Sequence, residues 1–176
     1  AHQALRDDPE GPITDDLKKA ALAVECFHKA SLVHDDIEDN DATRYGESTL
    51  HAEHGIPVAL NVGDLLIGEG YRLLADSDVD PKRRAEMIKV SADGQRELCI
   101  GQGAELLWNN NPVALSSKQV IEIFRSKTAP AFEVALKVGA AMAGQLEETA
   151  DVLHTYSENL GIAYQIRDDL DDLGDD

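Results

Sequence analysis

The sequence contains little of what marks several common classes of protein. It has two cysteines, Cys26 and Cys99, in no C-x-x-C pair, so neither a disulfide framework nor a cysteine zinc site is indicated. We expect both to be buried thiols. No apolar run approaches the roughly 18 residues that span a bilayer. Only 16 basic residues stand against 34 acidic ones, and the net charge of −18 argues against nucleic-acid or anionic-membrane partners.

Apolar residues recur with a helical period along nearly the whole sequence, and convincing strand alternation is absent. Thr14 suits the cap of a first helix, Pro57 suits the first turn of a second, and Ser116 with Gln119 forms a capping-box pattern. The predicted helices cover about 15–41, 57–75, 81–108, 116–144 and 146–173, with a turn at 51–55, a break at 109–112 and a stop at Gly174. The sequence therefore predicts an all-α protein, with residues 1–176 in a single domain.

Acidic side chains are concentrated in two short segments. Residues 35–41 read DDIEDND and residues 168–176 read DDLDDLGDD, and like charges this close repel one another without a counter-cation. In a helix, Asp35 and Asp39 share one face, as do Asp168 and Asp172. Mg²⁺ prefers oxygen ligands and takes part of its shell from water and substrate phosphate. Two such rows facing each other across a bundle could therefore hold two or three Mg²⁺ ions with a diphosphate between them.

Simpler explanations exist for each of these features. Either acidic segment alone could be a solvated helix end. An EF-hand is excluded because the first segment has Asp41 or Arg44 where the loop needs glycine, and the second has Leu170 or Leu173 where the loop needs a ligand. Arg44 follows Asp39 by five residues and is close enough to reach a phosphate oxygen. Lys127 lies in an otherwise apolar helix, where it either extends its ammonium group to water or faces a cavity for anionic ligands. The combination favours a site for magnesium and diphosphate.

Five motifs, taken in order, resemble those of a known family. The stretch ECFHKASLVHDDIEDNDATRYG at 25–46 resembles the first aspartate-rich region of the trans-isoprenyl diphosphate synthases, the polyprenyl synthetase family, and GIAYQIRDDLDD at 161–172 resembles the second. Between them stand HAEHGIPVALNVGDLL, GQGAELLW and KTAP, at the family's spacing. The resemblance implies an antiparallel helical bundle of the isoprenoid synthase type, of which this chain carries the central five to six helices.

The activity that the resemblance implies is a condensation. The family joins an allylic diphosphate to isopentenyl diphosphate, giving a longer linear isoprenyl diphosphate, with three Mg²⁺ ions. We accordingly expect a cytoplasmic prenyltransferase and homodimer that binds these two diphosphates and no nucleic acid. The family's segments before and after these motifs are expected to be missing. Two alternatives stay open: a class I terpene cyclase on the same scaffold and a non-catalytic regulatory subunit of a prenyl synthase.

The resemblance also implies roles for single residues. The residues expected to face the metals are Asp35, Asp36, Asp39, Glu105, Asp168, Asp169 and Asp172. Among them, Asp36 and Asp169 would orient waters or hold the helix ends. Arg44 and Lys127 match residues that grip the allylic diphosphate, and His28 matches one that contacts isopentenyl diphosphate.

The organic part of the substrates involves other positions. Lys127, Thr128 and Gln165 are the implied catalytic residues, since the threonine and glutamine match polar groups near the cationic carbons. Tyr45 stands where the family usually has a second arginine, and it slightly favours the cyclase.

Product length is expected to depend on the residues one and two turns before Asp35. Ala30 and Ser31 are small where family members that stop at about fifteen carbons commonly have aromatic rings, and Phe27 would be a lower floor. The resemblance therefore implies a product of about twenty carbons or more, at about one isoprene unit per helical turn. The alternative is that close helix packing selects the small residues. An apolar tail pocket is expected from Phe27, Leu32, Leu60, Leu65 and Leu66.

Overall fold

The structure, a computed structural model, describes residues 1–172 except Asp7 and Pro9, and the side chains of Asp169, Asp171 and Asp172 also lie outside the described part. In that part the chain forms seven helices and one hairpin of two-residue strands. In chain order these are α1 (His2–Leu5), α2 (Asp15–Glu38), β1 (Thr43–Arg44), β2 (Glu47–Ser48), α3 (Leu50–His54), α4 (Ile56–Ala75), α5 (Pro81–Asn110), α6 (Ser117–Ala143) and α7 (Leu146–Asp172). The all-α prediction is confirmed. The chain divides into two compact units, Pro12–Val79 and Ala1–Gly11 with Asp80–Asp176.

The unit Pro12–Val79 is built on α2 and α4, which pack as an antiparallel pair. Gly63 and Gly70 of α4 carry no side chain where α2 approaches. A Cβ atom would lie 2.2 Å from the His34 ring at Gly63 and 2.5 Å from the Phe27 ring at Gly70. Both the glycines and their partners are seven residues apart, or two helical turns. Two aromatic rings of α2 therefore rest on the α4 backbone in successive layers.

A short hairpin, β1 and β2, follows α2 in the same unit. Its strands pair antiparallel, with Thr43 opposite Ser48 and Arg44 opposite Glu47. The turn residues Tyr45 and Gly46 have φ angles of 53° and 81°, which is the pattern of a type I′ turn. The sequence did not predict this hairpin, because two-residue strands are too short to show alternation.

In the other unit, α6 lies between α5 and α7 and packs on both. Its start is the predicted capping box of Ser116 and Gln119, which is confirmed. Gly101 of α5 and Gly161 of α7 meet the α6 backbone directly. A Cβ at Gly101 would lie 2.4 Å from the carbonyl carbon of Ser126, and one at Gly161 would lie 2.6 Å from Cα of Ala129. Both neighbours of α6 therefore approach it closely along the same stretch.

Most predicted helix boundaries are confirmed within a few residues, and three sequence predictions are wrong. Helix α2 ends at Glu38 rather than near 41, since Asn40 adopts a positive φ of 56° that breaks the helix. The predicted turn at 51–55 is α3, which ends at His54 and is capped by Gly55, where φ is 85°. Cys99 is exposed on α5, whereas Cys26 is buried as predicted. The predicted stop at Gly174 lies outside the described residues.

None of the described helices combines the length and the apolar character that crossing a membrane requires.

Candidate functional site

The first acidic segment surrounds Arg44. The hairpin folds back on the end of α2, so that Arg44 Nε donates a hydrogen bond to Asp36. A terminal nitrogen of the same guanidinium lies 3.3 Å from Asp35 Oδ2 and 3.9 Å from Asp41 Oδ2. Asp36 is 6% exposed, so it offers little surface to a metal and acts here as the partner of Arg44. Asp35 is partly exposed, and Asp39, which caps the end of α2, is exposed.

Charge explains how these carboxylates tolerate one another. Burial by itself would lower the pKa of Arg44, but the hydrogen bond to Asp36 and the charges of Asp35 and Asp41 outweigh burial and raise that pKa above its usual value. The guanidinium therefore stays charged and offsets part of the repulsion. A guanidinium has five N–H donors, and the hydrogen bonds to Asp35 and Asp36 use two of them. Arg44 can thus keep its hydrogen bonds to Asp35 and Asp36 and still donate one to a phosphate oxygen.

The residues before Asp35 on α2 that were predicted to contact substrate or product differ in their exposure and packing. His28 and Ser31 are exposed, and the Ser31 hydroxyl donates to the backbone oxygen of His28 at 2.8 Å. Ala30 is 1% exposed and lies on the stripe of α2 that faces α4. Phe27 packs edge-on against Tyr71, with ring centroids 4.9 Å apart. Close helix packing therefore accounts for the small size of Ala30, and the product-length hypothesis now depends on Ser31.

Two of the residues expected to line an apolar tail pocket are exposed in the described structure. Leu60 and Leu65 of α4 are 48% and 67% exposed. Leu65 lies on the side of α4 opposite Gly63, because two residues along a helix correspond to about half a turn. The side of α4 that α2 covers is thus not the side from which Leu65 projects.

Sequence reasoning missed His34, which directly precedes Asp35. Its ring lies on Gly63, and its buried Nε2 is 3.6 Å from Asp64 Oδ1, without a hydrogen bond to any residue that the structure describes. His34 therefore fixes the spacing between the acidic end of α2 and α4. The Gly-Asp pair within NVGDLL is the signal that could have found this contact, since a glycine on a helix face marks close approach of another group.

In the unit that contains α5, α6 and α7, Lys127 and Glu105 form an ion pair. The Lys127 ammonium lies 2.6 Å from Glu105 Oε2, and their side chains are 23% and 25% exposed. Gly101, one helical turn before Glu105, packs on the α6 backbone at Ser126 and Lys127. That close approach brings the two side chains within reach. Two residues predicted for the site are thus in direct contact.

A parallel arrangement joins α6 to α7. The Thr128 hydroxyl donates to Gln165 Oε1 at 2.9 Å. Gly161 lies one turn before Gln165 and packs on Ala129. Lys127 and Thr128 are neighbours in sequence, about 100° apart around α6, and therefore reach two different helices, α5 and α7. The three predicted catalytic residues thus lie within one short stretch of this unit.

The second acidic segment ends α7, and it is only partly described. Asp168 is exposed. The side chains of Asp169 and Asp172, both predicted metal residues, lie outside the described part of the chain. Among the described residues, no three His, Cys, Asp or Glu side chains converge closely enough to hold a metal unaided.

These carboxylates nevertheless fit magnesium. Asp35, Asp39 and Asp168 each present carboxylate oxygens that are at least partly exposed. Mg²⁺ commonly uses one or two carboxylates, keeps several waters and takes further oxygens from a substrate phosphate. The exposed carboxylates of each unit are therefore suited to an ion that arrives with a diphosphate.

Comparison with known proteins agrees with this chemistry. The sequence profile of the polyprenyl synthetase family matches residues 2–176. The chain is 37% identical over 174 residues to the farnesyl diphosphate synthase of Escherichia coli, covering 94% of this chain and 58% of that protein. It is 34% identical over 162 residues to a short chain isoprenyl diphosphate synthase of Methanocaldococcus jannaschii, covering 90% of this chain and 49% of that protein. The chain thus spans about half the length of the curated relatives it matches.

Solved structures show the same fold. The chain is similar to the geranylgeranyl pyrophosphate synthetase of Geoglobus acetivorans, with a TM-score of 0.87 and 32% identity over 97% of this chain and 54% of that one. It is also similar to a Helicobacter pylori geranyltransferase complexed with magnesium and isoprenyl diphosphate, with a TM-score of 0.83 and 29% identity over 90% of this chain and 53% of that one. The fold is of the isoprenoid synthase type, and the chain belongs to the polyprenyl synthetase family.

Proposed function

We propose that the protein is a Mg²⁺-dependent trans-prenyltransferase that condenses an allylic diphosphate with isopentenyl diphosphate into a longer linear isoprenyl diphosphate. The observation that carries this proposal is that each unit pairs predicted metal carboxylates with a predicted diphosphate-binding cation. Arg44 is held by Asp35 and Asp36, and Lys127 is held by Glu105. A site for divalent cations and a diphosphate needs side chains of both charges. The relatives named above support the same activity.

The proposed metal residues are the carboxylates at the ends of the two long acidic helices, with three Mg²⁺ ions in the loaded enzyme. The proposed direct ligands are Asp35, Asp39, Asp168 and Asp172. Magnesium, when bound, would supply Lewis-acid stabilisation of the charge on the leaving diphosphate. Asp36 would hold Arg44, and Asp169 would support the end of α7.

The chain's own residues would bind the diphosphate and orient polar groups. Arg44 and Lys127 would donate charge-assisted hydrogen bonds to phosphate oxygens, which strengthen as negative charge develops on the leaving group. Thr128 and Gln165 would direct their dipoles at the cationic carbons, and their mutual hydrogen bond fixes the glutamine orientation. His28, which is exposed, would contact isopentenyl diphosphate.

We further propose that both units belong to one synthase domain and that the protein is a homodimer. Both proposals rest on the family. Size-exclusion chromatography with light scattering tests the second one, and a monomeric mass at working concentration would refute it.

The two alternatives receive no support from the relatives, which are named as synthases of linear diphosphates. Tyr45, which had slightly favoured a cyclase, is 88% exposed at the tip of the hairpin. Retention of acidic residues in both segments also opposes a non-catalytic subunit.

One experiment separates all three functions. The full-length protein is incubated with Mg²⁺, labelled isopentenyl diphosphate and allylic primers of several lengths, with EDTA as the control. Transfer of label into longer linear diphosphates is the expected result. A cyclic product formed from the primer alone would show a cyclase. No turnover with any primer would refute the proposed activity.

A further inference from the structure

The pair of Glu105 and Lys127 places an acid on a lysine that the proposed function assigns to a diphosphate. The two charged groups are 2.6 Å apart, and about a quarter of each side chain is exposed. At that distance the Glu105 carboxylate occupies part of the surface where an anion would contact the ammonium. An anion that binds Lys127 must therefore compete with Glu105.

The backbone keeps this pair together. Gly101 lies four residues before Glu105, and a Cβ there would be 2.6 Å from Lys127 N and 2.5 Å from Ser126 O. At this point α5 and α6 are in backbone contact, so the Cα atoms of Glu105 and Lys127 are held at a fixed separation. Rotation of the two side chains, which are long and flexible, can separate the two charges without moving the backbone.

We propose that Glu105 is a positioning residue that holds Lys127 until a diphosphate displaces it. This inference rests on the proposed function, because that function assigns Lys127 to the substrate. Before binding, Glu105 keeps the ammonium group at the surface of α6 and lowers its affinity for small anions. A diphosphate accompanied by divalent cations brings enough charge to replace the carboxylate, and Glu105 then turns toward those cations.

This role predicts a change in metal-free binding that a simple metal ligand would not cause. If Glu105 only bound metal, its removal would weaken Mg²⁺-dependent binding and leave metal-free binding unchanged. If Glu105 occupies Lys127, its removal must strengthen the binding of an anion when no metal is present. The direction of one affinity change therefore separates the two roles.

The test measures binding of inorganic pyrophosphate to the full-length protein by isothermal titration calorimetry, in the presence of EDTA. Glu105→Gln keeps the shape of the side chain and removes its charge. We expect about tenfold tighter pyrophosphate binding by this variant, the order of effect expected when one partly desolvated ion pair no longer competes. In the presence of Mg²⁺ the same variant should lose this advantage or bind more weakly than the wild type.

Two controls locate the effect at Lys127. Glu122→Gln removes the same charge from α6, five residues before Lys127, but Glu122 pairs with Arg125. It should leave pyrophosphate affinity nearly unchanged, which excludes a general effect of net charge. The double variant of Glu105→Gln with Lys127→Gln should bind no more tightly than Lys127→Gln alone, because the gain requires the lysine.

Unchanged or weaker metal-free binding by Glu105→Gln, with circular dichroism showing an intact fold, would overturn the proposal. An equal gain from Glu122→Gln would overturn it too. If neither the wild type nor Glu105→Gln binds pyrophosphate, Lys127 is not an anion site and the inference fails. Turnover of wild-type protein with labelled isopentenyl diphosphate is measured separately. The inference stands if the affinity gain appears without turnover, and it fails alone if turnover appears without the gain.

Discussion

At the scale of single residues, the contacts of Arg44 change how the first acidic segment is interpreted. Crowded aspartates were interpreted as a sign of metal, because like charges repel without a counter-cation. The structure shows that Arg44 already supplies a positive charge to Asp35 and Asp36. Clustering alone is therefore not evidence for magnesium. The evidence is that Asp35 and Asp39 keep exposed carboxylate surface after Arg44 has been accommodated.

Metal dependence follows at this scale. Asp35→Asn should lower turnover by at least about 10²-fold, comparable to losing one preorganised charge-stabilising group. The fold should survive, since the change removes one like charge from a crowded row. Steady-state kinetics at saturating Mg²⁺ measure the effect, and Asp15→Asn at the other end of α2 is the control. Undiminished wild-type turnover in saturating EDTA would contradict the prediction.

A second prediction concerns Glu133, between Lys137 and His154. Burial would raise the pKa of this carboxyl group, but hydrogen bonds from Lys137 and His154 outweigh burial and lower the pKa below its usual value. His154 Nδ1 lies 2.9 Å from Glu133 Oε2. A carboxyl group with a lowered folded-state pKa binds fewer protons than in the unfolded chain. Its contribution to stability is therefore present above the unfolded pKa of about 4.3 and is lost as the pH falls through the folded value.

Glu133→Gln should accordingly flatten the dependence of unfolding free energy on pH in the acidic range. The measurement is urea denaturation at several pH values from neutrality downward. The matched control is Glu147→Gln, a charge removal in the first turn of α7. An equally steep loss of stability on acidification in Glu133→Gln and the wild type would show that this carboxyl group is not the source.

At the scale of elements, glycines decide which polar side chains meet. Gly101 lies four residues before Glu105, and Gly161 lies four residues before Gln165. Each glycine allows its helix to touch the α6 backbone. The side chain one turn later on the same face then reaches α6 at Lys127 or Thr128. The two motifs GQGAE and GIAYQ therefore share one construction.

Gly101→Ala tests this construction. Its Cβ would lie 2.4 Å from backbone that cannot rotate away, so α5 and α6 must separate. We expect a loss of unfolding free energy of about 2 kcal/mol or more. Gly103→Ala is the matched control on the same helix. No atom of the described structure lies within 4 Å of its added Cβ, and alanine's higher helix propensity should raise stability by up to about 1 kcal/mol.

Equilibrium denaturation in urea compares the two alanine variants. Equal stabilities would show that α5 and α6 are not in the described contact. Glu105→Ala serves as a further comparison, because it removes the ion pair while leaving the backbone contact intact.

At the scale of the whole molecule, the described residues constrain product length less than they constrain the other predicted properties. Packing of α2 on α4 accounts for the small size of Ala30, and the channel floor at Phe27 stays a prediction. Ser31 remains, since it is small, exposed and one turn before Asp35. On the geometry of about one isoprene unit per helical turn, a small residue here still favours about twenty carbons or more.

Ser31→Phe should therefore shorten the product, because the ring would fill the space one turn below the reacting end. Product chains from the full-length enzyme are measured by chromatography after dephosphorylation. Lys29→Phe, an exposed position on another side of α2, is the control and should leave chain length unchanged. A wild-type enzyme that stops at about fifteen carbons would show that residues on other helices limit the chain.

The sequence by itself determined the helices, because their signals are local. The Thr14 and Ser116 caps and the proline at the start of α4 each act within one helical turn. The two acidic segments, their spacing and the resemblance to the family could likewise be identified from the sequence. Local signals failed where the conformation depends on one backbone angle, as at Asn40, or on very short strands, as in the hairpin around Tyr45.

Only the tertiary structure decided which of these residues are partners. Arg44 meets Asp36 because the hairpin folds back, and Lys127 meets Glu105 because Gly101 lets two backbones touch. Nothing in the sequence indicated that Lys127, predicted to bind the diphosphate, and Glu105, predicted to bind metal, form an ion pair. Contacts between residues distant in the chain depend on the packing of whole helices, whose register is set by many small steric contacts at once. Periodicity identifies the face of a helix, but the facing residue on its neighbour is fixed only when the helices pack.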